Sequence, residues 1–208
     1  MNISRTAMAL ALGIAAASIN AHAQTTQGGA QPAATSPAQP RDTASGGAQK
    51  NTAGKESQLQ DQDQQFLEDA TQGSYAEIEG SKLALEKTQN QDVKHFADMM
   101  IKDHTAMVQE VSKLATDKGM TPPDGPSVMQ VTEVTAMKAL TGGAFDAMYV
   151  NRIGVASHEA TVKLFEQASE KAQDPDVKAL AAKSLPKLRE HLEMARALDK
   201  KQDNKSSK

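Results

Sequence analysis

The predicted fold of this chain is centred on residues 92–114, DVKHFADMMIKDHTAMVQEVSKL. Its larger apolar side chains recur every three or four residues, as they do on one face of an α-helix. His104 stands in the middle of that face, between Met100 and Met107. An imidazole among apolar side chains needs a hydrogen-bond partner or a ligand, because burying an unpaired polar group costs free energy. The stretch therefore predicts an amphipathic helix with one buried polar position.

Three further long helices are predicted around this one, so that the four run over residues 63–88, 92–118, 144–172 and 174–200. In the first helix, small side chains occupy most of a heptad-like seam that also contains Glu77. Asp92 is the expected N-cap of the second helix, and Gly119 is expected just after its C-cap. No segment has the alternating pattern of a β-strand, so the predicted class is all-α.

A long connection over residues 119–141 separates the two halves of the chain. It begins with a cluster of helix breakers at residues 121–126, after which Ser127 is expected to cap a short helix that reaches Leu140. Two helical hairpins joined by a long crossover are the arrangement of a ferritin-like four-helix bundle. That is the fold the sequence predicts.

The inner faces of the last two helices each contain a histidine. His158 belongs to the third helix, whose expected inner face comprises Phe145, Met148, Val155, Val162 and Phe165. His191 lies among the leucines of the fourth helix. Pro186 interrupts that pattern, and we expect a kink or a local opening there because proline removes a backbone donor.

The remaining segments are predicted to lie outside the bundle, which is assigned to residues 59–201. Residues 1–23 have the charged start, apolar middle and Ala-x-Ala end of a signal peptide, with cleavage expected after Ala23. Residues 24–58 and 202–208 have the polar composition of a disordered linker and a disordered tail. No later segment is apolar enough to be transmembrane, so we expect an exported protein of the periplasm or cell envelope.

Composition excludes several classes of function. Lys and Arg number 23 against 26 Asp and Glu, a net charge of −3, so there is no electrostatic reason to bind nucleic acid. The chain has no cysteine, which excludes disulfides and thiolate metal sites. It also lacks a catalytic-triad order, a phosphate loop and a nucleotide-binding fingerprint, so no enzyme class is indicated. The oligomeric state stays open.

Counting residues outward from the two hairpin turns places four polar side chains at a similar height: Glu77, His104, His158 and His191. With a rise of about 1.5 Å per residue, their offsets differ by only one helical turn or so. Each of them lies on the seam of a different helix. We therefore expect one acid and three histidines to meet in the middle of the core.

Three interpretations of this layer stay open. In the first, the four side chains hydrogen-bond one another and fix the register of the helices. In the second, Glu77 and the three histidines bind a single transition metal, Zn, Cu, Fe or Mn. In the third, methionines near the histidines form a soft copper site, although ordinary packing also explains methionine at helical spacing. The methionines concerned are Met100, Met107 and Met194.

An acid stands next to each of the three histidines in the sequence: Asp103, Glu159 and Glu190. Adjacent positions of a helix do not face each other, so these acids cannot join their own histidine in one site. One hypothesis is that they bond to a histidine on a neighbouring helix. The alternative is a solvated charge beside the seam.

Several runs of the sequence resemble the exported bacterial family known as domain of unknown function 4142. They are EIEGSKLA at residues 77–84, VKHFADMM at 93–100, Asp103-His104, Phe145-Asp146 followed by Tyr149, His158, and LPKLREHL at 185–192. The match covers about residues 60–200. The resemblance implies a ferritin-like four-helix bundle in the bacterial periplasm or envelope, and it implies no known reaction.

The chain departs from true ferritins at the positions that would bind iron. Di-iron bundles carry Glu-x-x-His on two helices. The residues three positions before the layer histidines are instead Ile101, Val155 and Leu188. This difference argues against a ferroxidase centre. The alternative to metal binding is a structural or stress-related envelope protein that binds a protein or a small apolar partner.

Overall fold

A computed structural model describes residues 57–206, which form helices and turns with no strand in that range. The predicted signal peptide and nearly all of the predicted linker lie outside the described residues. The elements are α1 (Asp61–Lys87), α2 (Gln91–Asp117), α3 (Val128–Met137), α4 (Gly142–Tyr149), a π-helical segment (Val150–Ala156), α5 (Ser157–Lys171) and α6 (Pro175–Ser206). The predicted all-α class is confirmed.

The long helices pair as the sequence predicts. α1 and α2 pack along each other on either side of a short link at residues 88–90, and α5 packs along α6 in the same way. The connection between the two pairs contains α3, which contacts α1 and α4. The described residues therefore form two hairpins that pack as a helical bundle.

Two of the three cap residues predicted from the sequence are found in the structure. Gly119 has a φ of 85°, in the left-handed region expected after a helix. The side chain of Ser127 caps α3 in a reciprocal capping box with Gln130. At the start of α2, however, the cap is Asn90, whose Oδ1 accepts from the Asp92 N–H at 3.1 Å. The prediction of Asp92 as the N-cap is therefore wrong.

A π-helical segment interrupts the third long helix, which the sequence does not predict. Val150–Ala156 joins α4 to α5 without a break. A π-helix bonds residues five positions apart, so it widens the turn and rotates the buried face. Just before this segment, Tyr149 is fully buried, whereas Met148 is 40 % exposed. The predicted inner face of this helix is therefore wrong at Met148.

The last helix is longer than predicted. α6 continues through Pro186 and ends at Ser206, whereas the sequence places the end of the bundle at residue 201. The predicted kink at Pro186 stays a prediction. Within residues 57–206, every helix is either too short or too polar to span a bilayer.

The core consists of two apolar clusters, one near each hairpin turn. The first-turn cluster lies near the α1–α2 turn and includes Phe96, Met100, Met137, Phe145 and Tyr149. The second-turn cluster lies near the α5–α6 turn and includes Phe66, Leu67, Phe165 and Leu188. A layer of polar side chains lies between the two clusters along the helices, and the partly buried Val155 packs against both clusters.

Candidate metal centre

Four polar side chains form this layer. Glu77 comes from α1, His104 from α2, His158 from α5 and His191 from α6, and each has 0 % exposure. Along each helix, the layer residue stands where packing changes from one apolar cluster to the other. The expectation that these four residues meet is confirmed. That they bind a metal stays a prediction.

Two of the imidazoles face each other directly. His104 Nε2 and His158 Nε2 are 3.3 Å apart. Two ligands of a tetrahedral metal ion with bonds of about 2.0–2.1 Å are separated by about the same distance. The spacing also suits a hydrogen bond if one of the two nitrogens carries a proton. The contacts of the other ring nitrogens show which protonation state each ring favours.

The outer nitrogens of both rings lie against oxygen atoms. His104 Nδ1 is 2.9 Å from Glu77 Oε2, a short contact that is not aligned as a straight hydrogen bond. His158 Nδ1 is 3.2 Å from the carbonyl oxygen of Ile153 and 3.5 Å from Glu77 Oε1. Carboxylate and carbonyl oxygens only accept, so in the neutral rings both Nδ1 atoms carry the hydrogen. Both Nε2 atoms are then left with lone pairs.

His191 has the same arrangement with its two nitrogens exchanged. Its Nε2 donates to Oδ2 of Asp103 on α2 at 3.0 Å. Its Nδ1 is buried and has no hydrogen-bond partner among the described residues. The ring centroid lies 5.3 Å from that of His104 and 5.4 Å from that of His158. The third ring therefore also has one nitrogen bonded to an acceptor and one buried lone pair.

One nitrogen from each of the three rings lies within 4.8 Å of the other two. A single point can then lie within about 2.8 Å of all three nitrogens. Bonds of about 2.0–2.1 Å to a metal at that point would require each ring to move towards it by less than about 1 Å. The carboxylate of Glu77 does not belong to this group, because it lies against the outer nitrogens. The structure thus places Glu77, predicted as a ligand, against the outer nitrogens of His104 and His158.

Glu77 is ionised although it is completely buried. Burial alone would raise the pKa of its carboxyl group, but the adjacent His104 and His158 and the hydroxyl of Ser157 lower that pKa to about 2. The hydroxyl of Ser157 donates to Glu77 Oε1 at 2.7 Å. The carboxylate is therefore held in place from two sides.

The surroundings keep two of the imidazoles neutral. Burial lowers the pKa of His158, although the charge of Glu77 opposes it. Burial and the neighbouring His104 lower the pKa of His191 to about 4. At Asp103, burial raises the pKa, but the hydrogen bond from His191 and the charge of Lys187 outweigh it, so the pKa is lowered. Neutral imidazoles and ionised carboxylates are the states that metal binding requires.

Asp103 contacts a histidine on a neighbouring helix, as the sequence-based hypothesis proposes for such acids. The other two acids that adjoin a histidine do not follow it. Glu159 pairs with Arg196 at 3.0 Å, and Glu190 pairs with Lys187 at 3.1 Å, in both cases at the surface. These two carboxylates are solvated charges beside the seam.

The three methionines near the histidines are divided between the apolar clusters. Met100 is a member of the first-turn cluster and Met194 packs against it, whereas Met107 packs against the second-turn cluster. They therefore lie on both sides of the polar layer. This placement favours ordinary packing over a copper-binding stripe.

Sequence reasoning missed two groups that position the layer. One is Ser157, which bonds Glu77 from a position next to His158. The other is the carbonyl oxygen of Ile153, which accepts from His158 five residues further on. A contact over five residues depends on the π-helical segment, for which the sequence carries no periodic signal.

Comparisons with known proteins give a family and a fold. The family described as Domain of unknown function (DUF4142) matches residues 48–198. A crystal structure of a DUF305 fragment from Deinococcus radiodurans is similar with a TM-score of 0.61 and 15 % identity, covering 69 % of this chain and 98 % of that chain. A DUF305 protein from Streptomyces coelicolor that is presumed to be secreted has a TM-score of 0.58 and 13 % identity, covering 68 % and 92 %. At these identities the likeness shows the fold alone. No curated protein matches this chain.

Proposed function

The chain belongs to the family described as domain of unknown function 4142, and we propose that it binds one transition-metal ion between His104, His158 and His191. The three imidazoles are the ligands, and Glu77 and Asp103 hold their rings from outside. In this proposal the bundle is ferritin-like, with two hairpins, a long crossover and a metal between the helices.

The observation that supports this proposal is the placement of the lone pairs. Each ring has one nitrogen against an oxygen acceptor, and the second nitrogen is a buried acceptor. Buried acceptors without a donor are costly, and a proton shared by His104 and His158 satisfies only that pair. His191 Nδ1 is left without a partner among the described residues. A single cation would satisfy all three nitrogens together.

The chemistry of the ligands narrows the choice of metal. Imidazole nitrogen suits Zn, Cu, Fe and Ni, whereas Mn prefers oxygen ligands. Among the four metals considered from the sequence, we propose Cu²⁺ and Zn²⁺, because nitrogen sites generally bind Cu²⁺ more tightly than Fe²⁺ or Mn²⁺, and tetrahedral imidazole sites are typical of Zn²⁺. A di-iron centre is not proposed, since Ile101, Val155 and Leu188 stand where Glu-x-x-His motifs would place acids. We accordingly propose metal binding without ferroxidase activity.

We also propose that the bundle acts outside the cytoplasm, in the periplasm or envelope. Residues 1–23 have the composition of a signal peptide with cleavage after Ala23. The similar protein from Streptomyces coelicolor is itself presumed to be secreted. The absence of cysteine from the sequence means that stability there depends on core packing and on the bound ion.

Metal retention by the purified chain tests the proposal. The protein is incubated in turn with Zn²⁺, Cu²⁺, Fe²⁺ and Mn²⁺, desalted, and analysed for bound metal by mass spectrometry. We expect about one equivalent of Zn²⁺ or Cu²⁺ to be retained. His104→Ala together with His158→Ala should abolish retention. His95→Ala, at an exposed position of α2, is the matched control and should retain the metal.

Retention of none of the four metals would contradict the proposal. That result would favour the alternative, in which the polar layer only fixes the register of the helices and the protein binds a partner in the envelope. The pair His104→Gln and His158→Gln, which keeps polar groups of similar size, repeats the test in case the alanine variants do not fold. Circular dichroism of each variant confirms its helical content.

A further inference from the structure

We infer that Glu77 and Asp103 make the centre selective for a divalent cation over a monovalent cation. This inference rests on the metal site proposed above. Both carboxylates contact histidines that would bind the ion, and both do so at the nitrogen that faces away from it. Glu77 Oε2 is 2.9 Å from His104, and Asp103 Oδ2 is 3.0 Å from His191. They therefore supply charge without occupying a ligand position.

The charges close to the three rings amount to two negatives, one from Glu77 and one from Asp103. The ion pairs of Glu77 are with His104 and His158, which must be neutral to bind a metal. Asp103 lies 3.6 Å from Lys187, whose side chain is 49 % exposed and also pairs with Glu190. Water screens the charge of Lys187 at this rim far more than it screens the buried carboxylate of Glu77.

A divalent ion would leave the layer close to neutral, whereas a monovalent ion would leave one net negative charge shared between the buried Glu77 and Asp103 at the partly exposed rim. Uncompensated charge is costly in a low-dielectric interior because electrostatic interactions there are much stronger than in water. The ligand atoms do not make this choice themselves, since imidazole nitrogen binds copper in both of its common oxidation states. The carboxylates behind the rings therefore determine which charge is preferred.

The position of Glu77 makes its charge a fixed part of the site. The side chain is fully buried, and the hydroxyl of Ser157 donates to its Oε1 at 2.7 Å, whereas His104 Nδ1 contacts Oε2. Asp103 is on α2, whereas Glu77 is on α1, so the two charges reach the layer from different helices. Removing either charge should weaken the preference by itself.

The test compares copper in its two oxidation states in the full chain. Glu77→Gln and Asp103→Asn keep the shape of each side chain and one acceptor oxygen, but they remove the charge. The Cu²⁺/Cu⁺ midpoint potential is measured by following the Cu²⁺ signal in electron paramagnetic resonance. Each variant should raise it by at least about 59 mV, which corresponds to a tenfold loss of preference for Cu²⁺. Zn²⁺ affinity, measured by chelator competition, should fall about 10–100-fold.

Glu110→Gln is the matched control, because this carboxylate is also on α2 but pairs with Lys183 at the surface. It should change neither the potential nor the Zn²⁺ affinity. If copper does not bind, the same variants are compared with Zn²⁺ and Ag⁺ in chloride-free buffer.

Weaker Zn²⁺ binding with an unchanged potential would overturn the inference, since the carboxylates would then only orient the rings. An equal effect of Glu110→Gln would also overturn it. A wild-type chain that binds no metal is a separate result, which contradicts the proposed function itself. If Glu77→Gln does not fold, Asp103→Asn at the partly exposed rim decides the test.

Discussion

His191 shows what burial does to a single residue of the layer. Its Nε2 bonds to Asp103, and its Nδ1 has no partner among the described residues. Burial and the neighbouring His104 lower its pKa to about 4, from an ordinary value of 6.5. The ordinary value returns when the chain unfolds, so the protonation of this ring is coupled to folding.

The metal-free protein should therefore lose stability as the pH falls from 6.5 towards 4. In this window His191 binds a proton in the unfolded chain and not in the folded one, so the free energy of unfolding rises with pH. The slope is up to about 1.4 kcal/mol per pH unit for one proton. The lowered pKa of His158 acts in the same direction. The pKa of Glu77 is lowered from 4.5 to about 2, so its protonation causes a further loss of stability as the pH falls below that window.

Urea unfolding with a chelator present, at several pH values between 7 and 4, measures this slope. His191→Gln removes one titrating group and should flatten the slope relative to wild type. His95→Gln, which changes an exposed histidine of α2, should leave it unchanged. A slope that is the same in His191→Gln as in wild type would contradict the prediction.

The members of the layer could be predicted from the sequence, but not their roles. The helical period places His104 on an apolar face, and residue counts from the turns place Glu77 at the same height. Neither pattern shows which nitrogen of a ring an acid will contact. Glu77 was for that reason expected as a ligand, whereas its carboxylate lies on the outer side of the rings.

At the scale of elements, the long helices follow from the sequence and the π-helical segment does not. Amphipathic periodicity and breaker residues suffice to find α2, because its whole length keeps one apolar face. The segment Val150–Ala156 differs from an α-helix by a change in hydrogen-bond register, which tertiary packing stabilises. Close packing against neighbouring helices, which local propensity does not encode, is visible at Gly80 and Gly154.

Gly154→Ala should destabilise the protein by about 1 kcal/mol. An added Cβ at this position would lie 3.0 Å from Ala195 Cβ on α6. Ala195 is fully buried, and its Cβ cannot rotate away because it is attached directly to the backbone. Overpacking typically costs about 1–3 kcal/mol, which exceeds the gain of about 1 kcal/mol or less from replacing a helical glycine. Urea unfolding at neutral pH measures the difference.

Gly143→Ala is the matched control, since an added Cβ there meets nothing within 4 Å. It should be neutral or slightly stabilising. Ala195→Gly introduced together with Gly154→Ala should restore part of the lost stability, because it removes the Ala195 Cβ that the new side chain would contact. Equal stability of Gly154→Ala and Gly143→Ala would show that the helices can separate without cost.

At the scale of the whole described region, the layer connects all four long helices. The pairing of α1 with α2 and of α5 with α6 could be predicted, because short turns force neighbouring helices together. The contacts between the two hairpins depend on side chains such as His104 and His158, which are distant in sequence. An ion bound there would be linked to the unfolding of the entire bundle.

Saturating Zn²⁺ should accordingly raise the melting temperature of the protein. A concentration 100 times the dissociation constant stabilises the folded state by about 2.7 kcal/mol. For a domain of this size, that corresponds to roughly 5–10 °C. Scanning calorimetry with and without chelator measures the shift, and the chelator should reverse it. A shift of the same size in the variant with both His104→Gln and His158→Gln would show that Zn²⁺ binds elsewhere.

The division of the layer between the hairpins has a consequence for the order of folding. The α1–α2 hairpin carries Glu77 and His104, whereas the α5–α6 hairpin carries His158 and His191. Contacts within each hairpin are local and form early, whereas joining the two halves closes a long loop and is the slower step. Neither half contains three imidazoles of the layer. The chain would therefore complete its candidate centre only after the two halves have met, so a bound ion would stabilise the finished topology and not a folding intermediate.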